Sequence, residues 1–164
     1  EHTIGPAGTP VHHRTTQTIR ALTAEVTQYL YLCDAEKVTV EVVKGGTADD
    51  PRRVAEGIWG VVITLDGPLT SGETCELMYD TTFDYDTSPT PELRRSAVNG
   101  RGEIEMSVSF HPDRLPAGVQ QCTWAQLADD ECTTSAVVEL DHAHSVAATW
   151  TVVRAGMVGF TWQW

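Results

Sequence analysis

Polar and apolar residues alternate along much of this chain. From Glu103 to Phe110, Ile104, Met106, Val108 and Phe110 fall on one parity, and Glu103, Glu105, Ser107 and Ser109 on the other. Successive side chains of a β-strand point to opposite faces, so this segment reads as a half-buried strand. Lys37 to Lys44 repeats the pattern, with Val38, Val40 and Val42 opposite Thr39 and Glu41. Thr74 to Asp86 sets Cys75, Leu77, Tyr79, Phe83 and Tyr85 on one side, and a strand this long usually bends or bulges. Val26 to Cys33 differs: Tyr29, Tyr31 and Cys33 point one way and Leu30 and Leu32 the other, which predicts partial cover on both faces. Thr15 to Thr23, Ile58 to Leu65, Thr134 to Leu140, Ser145 to Arg154 and Met157 to Trp164 complete the strand candidates. The last places Val158, Phe160, Trp162 and Trp164 on one face.

Between these runs lie turn signals at Asp66-Gly67-Pro68 and Asn99-Gly100. Three connections read as short helical turns: Asp49 to Glu56, with Pro51 after an acidic cap; Thr90 to Arg95, with Pro91; and Trp124 to Asp130. No stretch sustains a helical period. Eight to nine strands, one or two short helical turns and no helix long enough for a parallel crossover predict an all-β, antiparallel β-sandwich. A jelly-roll-like sandwich fits the strand number and length best, with an immunoglobulin-like sandwich as the alternative. Gly5, Pro6, Gly8 and Pro10 make residues 1–14 an extended N-terminal arm, and residues 15–164 then form a single β-sandwich domain.

Composition narrows the function. The 164 residues are 41% hydrophobic, enough for a packed core, and carry a net charge of −12. An acidic protein of this kind repels phosphate, which disfavours direct contact with nucleic acid. No apolar run approaches the ~20 residues of a membrane-spanning helix. There is no phosphate-binding loop, dinucleotide fingerprint or nucleophile elbow, so the expectation is a non-enzyme without a cofactor.

Four cysteines, Cys33, Cys75, Cys122 and Cys132, include no C-x-x-C pair and read as disulfide partners rather than zinc ligands. Cys122 with Cys132 would close a short polar loop, and Cys33 with Cys75 would tie two strands. His142 and His144 are two apart, so on a strand they would face one side and could share a metal. Asp80, Asp84 and Asp86 share a parity and a spacing suggestive of calcium, without the looped backbone calcium needs. Trp162 and Trp164 end the chain, where a residue is seldom covered by its own fold, and are interface candidates.

These features point to a non-enzymatic structural or binding module of a virion, capsid or cell exterior. It would be secreted or on the particle surface, and would self-assemble or contact another surface protein. The alternatives are a small secreted metal-dependent enzyme of jelly-roll type using His142 and His144, and a secreted carbohydrate- or ligand-binding module.

Overall fold

The computed structural model describes residues 1–97, 102–126, 129–152 and 155–164. The turn expected at Asn99-Gly100 lies outside these residues. So do parts of the segment from Trp124 to Asp130 and the end of the strand expected to reach Arg154. The described residues form fourteen strands: β1 His2–Ile4, β2 Pro10–Arg20, β3 Val26–Cys33, β4 Lys37–Lys44, β5 Gly46–Ala48, β6 Arg52–Ala55, β7 Ile58–Leu69, β8 Thr74–Asp84, β9 Glu92–Ser96, β10 Gly102–Phe110, β11 Gly118–Trp124, β12 Thr134–Val138, β13 Ser145–Val152 and β14 Met157–Gln163. The protein is all-β and sandwich-like, and the strand pairings within each unit are antiparallel except for β1 with β10.

The expected short helical turns are absent among the described residues. Arg52–Ala55 is strand β6 on β7, and Glu92–Ser96 is strand β9 on β14. Each of these segments is only about one helical turn long, and a helix that short does not sustain itself. A neighbouring strand satisfies the same backbone groups at once. The strand count exceeds eight to nine because β1, β5, β6, β9 and β11 lack a legible alternation or are too short to show one. Residues 1–14, expected as an arm, contain β1 and the start of β2.

The chain divides into two compact units. One comprises Glu1–Thr9 and Thr87–Trp164, and holds β1 and β9 to β14. Its strand orders are β13-β10-β1 and β12-β11-β14-β9. Ile4, Met106, Val108, Phe110, Val119, Val146, Trp150, Val158, Phe160 and Trp162 form its core. Phe160 is fully buried, with Trp150 edge-on to it at 5.3 Å between ring centroids. Strand β14, expected from its apolar face, lies between β11 and β9 and is central to its sheet. Gly159 permits this position, because a Cβ there would collide with the Leu93 carbonyl of β9.

The other unit, Pro10–Asp86, holds β2 to β8. Its orders are β2-β8-β4 and β3-β7-β5, with β6 continuing along β7 after β5. Tyr31, Ala35, Val38, Val61, Ile63, Leu77 and Tyr79 form its core, and Tyr31 meets Tyr79 edge-on at 5.3 Å. Each core is made by the inward parity of its strands, as the alternation requires.

Phe160→Ala should destabilise its unit by about 3–5 kcal/mol, the cost of an emptied aromatic site in a core. Trp164→Ala, at a half-exposed site, should cost less than half of that. Urea unfolding followed by tryptophan fluorescence checks both, since Trp59 is the only one of the five tryptophans outside that unit.

Candidate functional site

The residues expected to carry chemistry are dispersed. Asp141 to Ser145 is a tight turn leading into β13, not a strand. The Asp141 carboxylate accepts from the backbone N–H groups of Ala143 and Ser145 at 2.8 and 2.9 Å, and the His144 N–H donates to the Asp141 carbonyl at 3.0 Å. His144 sits at φ 58°, in the left-handed region. Strand parity does not apply to a turn, so the ground for a shared metal at His142 and His144 is gone. Among the described residues no three His, Cys, Asp or Glu side chains gather as a metal site.

All four cysteines are free, so the expected bridges are not formed. Cys33 and Cys75 are held apart by the strands themselves. Cys33 ends β3 near Tyr85, beyond the C-terminal end of β8, whereas Cys75 begins β8 opposite Ile19. Ten residues of strand between Cys75 and Tyr85 span about 33 Å, far beyond the ~7 Å Cα separation a disulfide tolerates. Burial raises the pKa of both thiols. Cys122 and Cys132 are brought together, with their sulphurs 2.7 Å apart.

Trp162 is 4% exposed and belongs to the core, so it is not available to a partner. Trp164 is 42% exposed. It packs edge-on to Phe110 and Trp162, each at 6.2 Å, and the Arg114 guanidinium lies over its ring at 4.6 Å. Arg114 in turn donates to the Ala7 carbonyl at 2.7 Å. The chain's last residue is therefore held from two sides.

The outward face of β2, β8 and β4 is polar and carries several ion pairs. Arg14 grips Asp80 with two hydrogen bonds, Nε to Oδ1 at 2.8 Å and Nη2 to Oδ2 at 2.6 Å, and His12 Nε2 lies 3.2 Å from Oδ1. Lys37 lies 2.7 Å from Asp86 and 3.8 Å from Asp84. The acidic row that suggested calcium is occupied by basic side chains.

The outward face of β3, β7 and β6 is different. Leu30, Leu32, Val54 and Ile58 are 44%, 51%, 49% and 38% exposed. A Cβ at Gly60 of β7 would lie 2.6 Å from Val54 Cγ2, 3.1 Å from Leu30 Cδ1 and 3.3 Å from Leu32 Cδ2, so these side chains close over the glycine as one patch. Exposed Asp49, Asp50, Arg52 and Arg53 run beside it through β6 and the preceding link. The signal for the patch was the apolar residues on both parities of Val26 to Cys33. Val54 gives none, because its segment reads as a helical turn, and Ile58 opens an apolar run whose parity does not separate an inward from an outward face. No helix among the described residues is long and apolar enough to cross a membrane. No family of known proteins, no curated protein and no solved structure matches the chain.

The Arg14 hydrogen bonds hold the Asp80 carboxyl below the usual carboxylate range. A depressed folded-state pKa stabilises the fold above the unfolded value near ~3.9, and that stabilisation is lost as pH falls through the folded value. Asp80→Asn should therefore lower the urea midpoint at pH 7 modestly and leave it almost unchanged near pH 2. Equal losses at both pH values would show that the carboxylate charge does not matter.

Proposed function

We propose that the protein is a non-enzymatic structural module of a particle or cell exterior, and that it works by self-assembly. The observation that carries this reading is the apolar patch of Leu30, Leu32, Val54 and Ile58 on an outward sheet face. Exposed apolar residues are ordinary when scattered, but a cluster of them marks a contact surface. Among the nine exposed large hydrophobics of the described residues, Leu30, Leu32 and Val54 converge on Gly60, and Ile58 shares the parity of Gly60 on β7.

A second copy suits this surface. Strand β3 is an edge of its sheet and carries no charge from Val26 to Cys33, so two copies meeting there bring no like charges together. The edges β4 and β9 are charged, through Lys37, Glu41 and Lys44, and through Glu92, Arg94 and Arg95. Strands β12 and β13 are also uncharged edges, but β13 presents Ala147, Thr149 and Thr151 outward, and β12 a single Val137. The rim adds complementarity. A two-fold contact can set Asp49 and Asp50 of one copy against Arg52 and Arg53 of the other.

Four such side chains offer a few hundred Å², less than the ~800 Å² per partner of a standard stable interface. Each contact is thus weak, and strength comes from repetition, as in a shell or layer. Seven strands in each unit support an immunoglobulin-like size over an eight-stranded jelly roll.

Sedimentation velocity from about 10 μM to about 1 mM covers the range of such a contact. Mass should rise with concentration, and rise further in high salt, which screens the repulsion between chains of charge −12. Leu30→Asp with Leu32→Asp should abolish the association and leave the melting curve unchanged, whereas Val137→Asp should leave both unchanged. A strict monomer at every concentration and salt, or association indifferent to the double substitution, would overturn the reading.

A further inference from the structure

We propose that Cys122 and Cys132 form a thiol–disulfide exchange pair that takes its oxidising equivalents from a small-molecule disulfide of the glutathione class. The sequence alone suggested a static staple; the structure shows a dithiol with two unequal sulphurs. Cys122 is buried on β11 in a small cluster with Trp124 and Met157, opposite Ser135 of β12. Cys132 lies just before β12 and is only partly buried. Its thiol points at Cys122 Sγ at 2.7 Å, inside the contact distance of two unbonded sulphurs, and no covalent bond joins them.

Other interactions hold this approach, so the pair does not depend on its own bond. The β11–β12 ladder runs from Val119 with Val138 to Thr123 with Thr134. The Thr133 N–H donates to the Thr123 carbonyl at 2.7 Å, and the Thr123 and Thr134 hydroxyls are 2.6 Å apart. Arg94 lies over the Trp124 ring at 4.4 Å and donates to the Asp129 carbonyl at 2.8 Å, which fastens the connection to β9. The Gln126 N–H donates to the Asp129 carboxylate at 2.8 Å. Loop closure has therefore been met by the fold, and both sulphurs stand within reach of reaction.

The unequal exposure assigns the roles. The Cys132 thiolate attacks one sulphur of the small disulfide, whose S–S bond breaks and releases one thiolate. The Cys122 thiolate then attacks the Cys132 sulphur of the mixed disulfide and expels the second. Two protein thiols are oxidised, one disulfide is reduced to two thiols, and the two protons lost by the protein pass to the leaving thiolates. Burial, and then the hydrogen bond with Cys122, pushes the Cys132 thiol up to about 11. Only a small fraction is thiolate at neutral pH, so exchange should quicken about tenfold per pH unit until that value is approached.

The test uses the full chain, reduced with a phosphine and then exposed to oxidised glutathione. Alkylatable thiols should fall from four to two, with peptide mapping joining Cys122 to Cys132. The melting temperature of the unit should rise by about 5–10 °C, as expected of a closed loop of this length. Cys122→Ser, with Cys122→Ala as a second variant should the first fold poorly, should stop at one glutathione on Cys132. Cys132→Ser should take up none at Cys122 under the same conditions. Four alkylatable thiols at equilibrium, a bridge that includes Cys33 or Cys75, or uptake at Cys122 in place of Cys132 would each overturn the assignment.

Discussion

A sheet of three or four strands has two faces and, in a two-layer unit, one partner. Everything else in this protein follows from that constraint. Each unit buries at least one parity of its longer strands, and it does so around one central strand. In one unit β14 carries Val158, Phe160 and Trp162 inward, flanked by β11 and β9. In the other β8 carries Leu77 and Tyr79, flanked by β2 and β4. Much of the opposite parity is left to solvent, though Cys122, Trp124 and Met157 form a smaller buried cluster. The outward faces differ sharply. That of β2, β8 and β4 is polar and carries several ion pairs. That of β3, β7 and β6 is apolar around Gly60.

The fold class was legible because alternation is a local property. Glu103 to Phe110 needs only its own sequence to declare a strand with one buried face. Strand β11, by contrast, reads Gly-Val-Gln-Gln-Cys-Thr-Trp: it buries Val119 on one face, and Cys122 and Trp124 on the other, so no single period emerges. Strands β6 and β9 are set by their neighbours β7 and β14, and their Pro-capped sequences mimic a helix start. The division into two units was also hidden. One unit draws β1 from the first residues of the chain and the rest from beyond Thr87, and three residues at His2–Ile4 carry no visible mark of a distant pairing with β10.

The candidate sites were less legible than the fold because each depended on conformation. His142 and His144 qualify only if their segment is extended, and Asp141 instead binds two backbone N–H groups and folds it into a turn. Trp162 and Trp164 share a parity, but the strand ends between them: one ring is enclosed by Phe110 and the core, and the other is half exposed against Arg114. For the cysteines, loop length was informative. A short separation within one hairpin brings Cys122 and Cys132 together almost by necessity. A long separation, from Cys33 to Cys75, leaves the outcome to strand order, which places them at opposite ends of β8.

The apolar patch and the cysteine pair lie in different units, each with its own buried core. A substitution at Leu32 alters an outward face and removes no core contact. Closing the Cys122–Cys132 bridge acts chiefly on the unfolded chain of its own unit, where it removes conformations. The chemistry of the two features differs as well. Association through the patch would be driven by apolar area and opposed by the charge of −12, so it would respond to salt and concentration. Exchange at the cysteines is driven by the redox poise of its surroundings and gated by deprotonation, so it responds to pH and to small disulfides. A module that leaves a reducing compartment for the outside would meet both changes. Its hairpin would close as the disulfide poise rises, and its weak lateral contacts would engage once the local concentration of copies is high. Stability would then answer to redox poise, and assembly to concentration and salt.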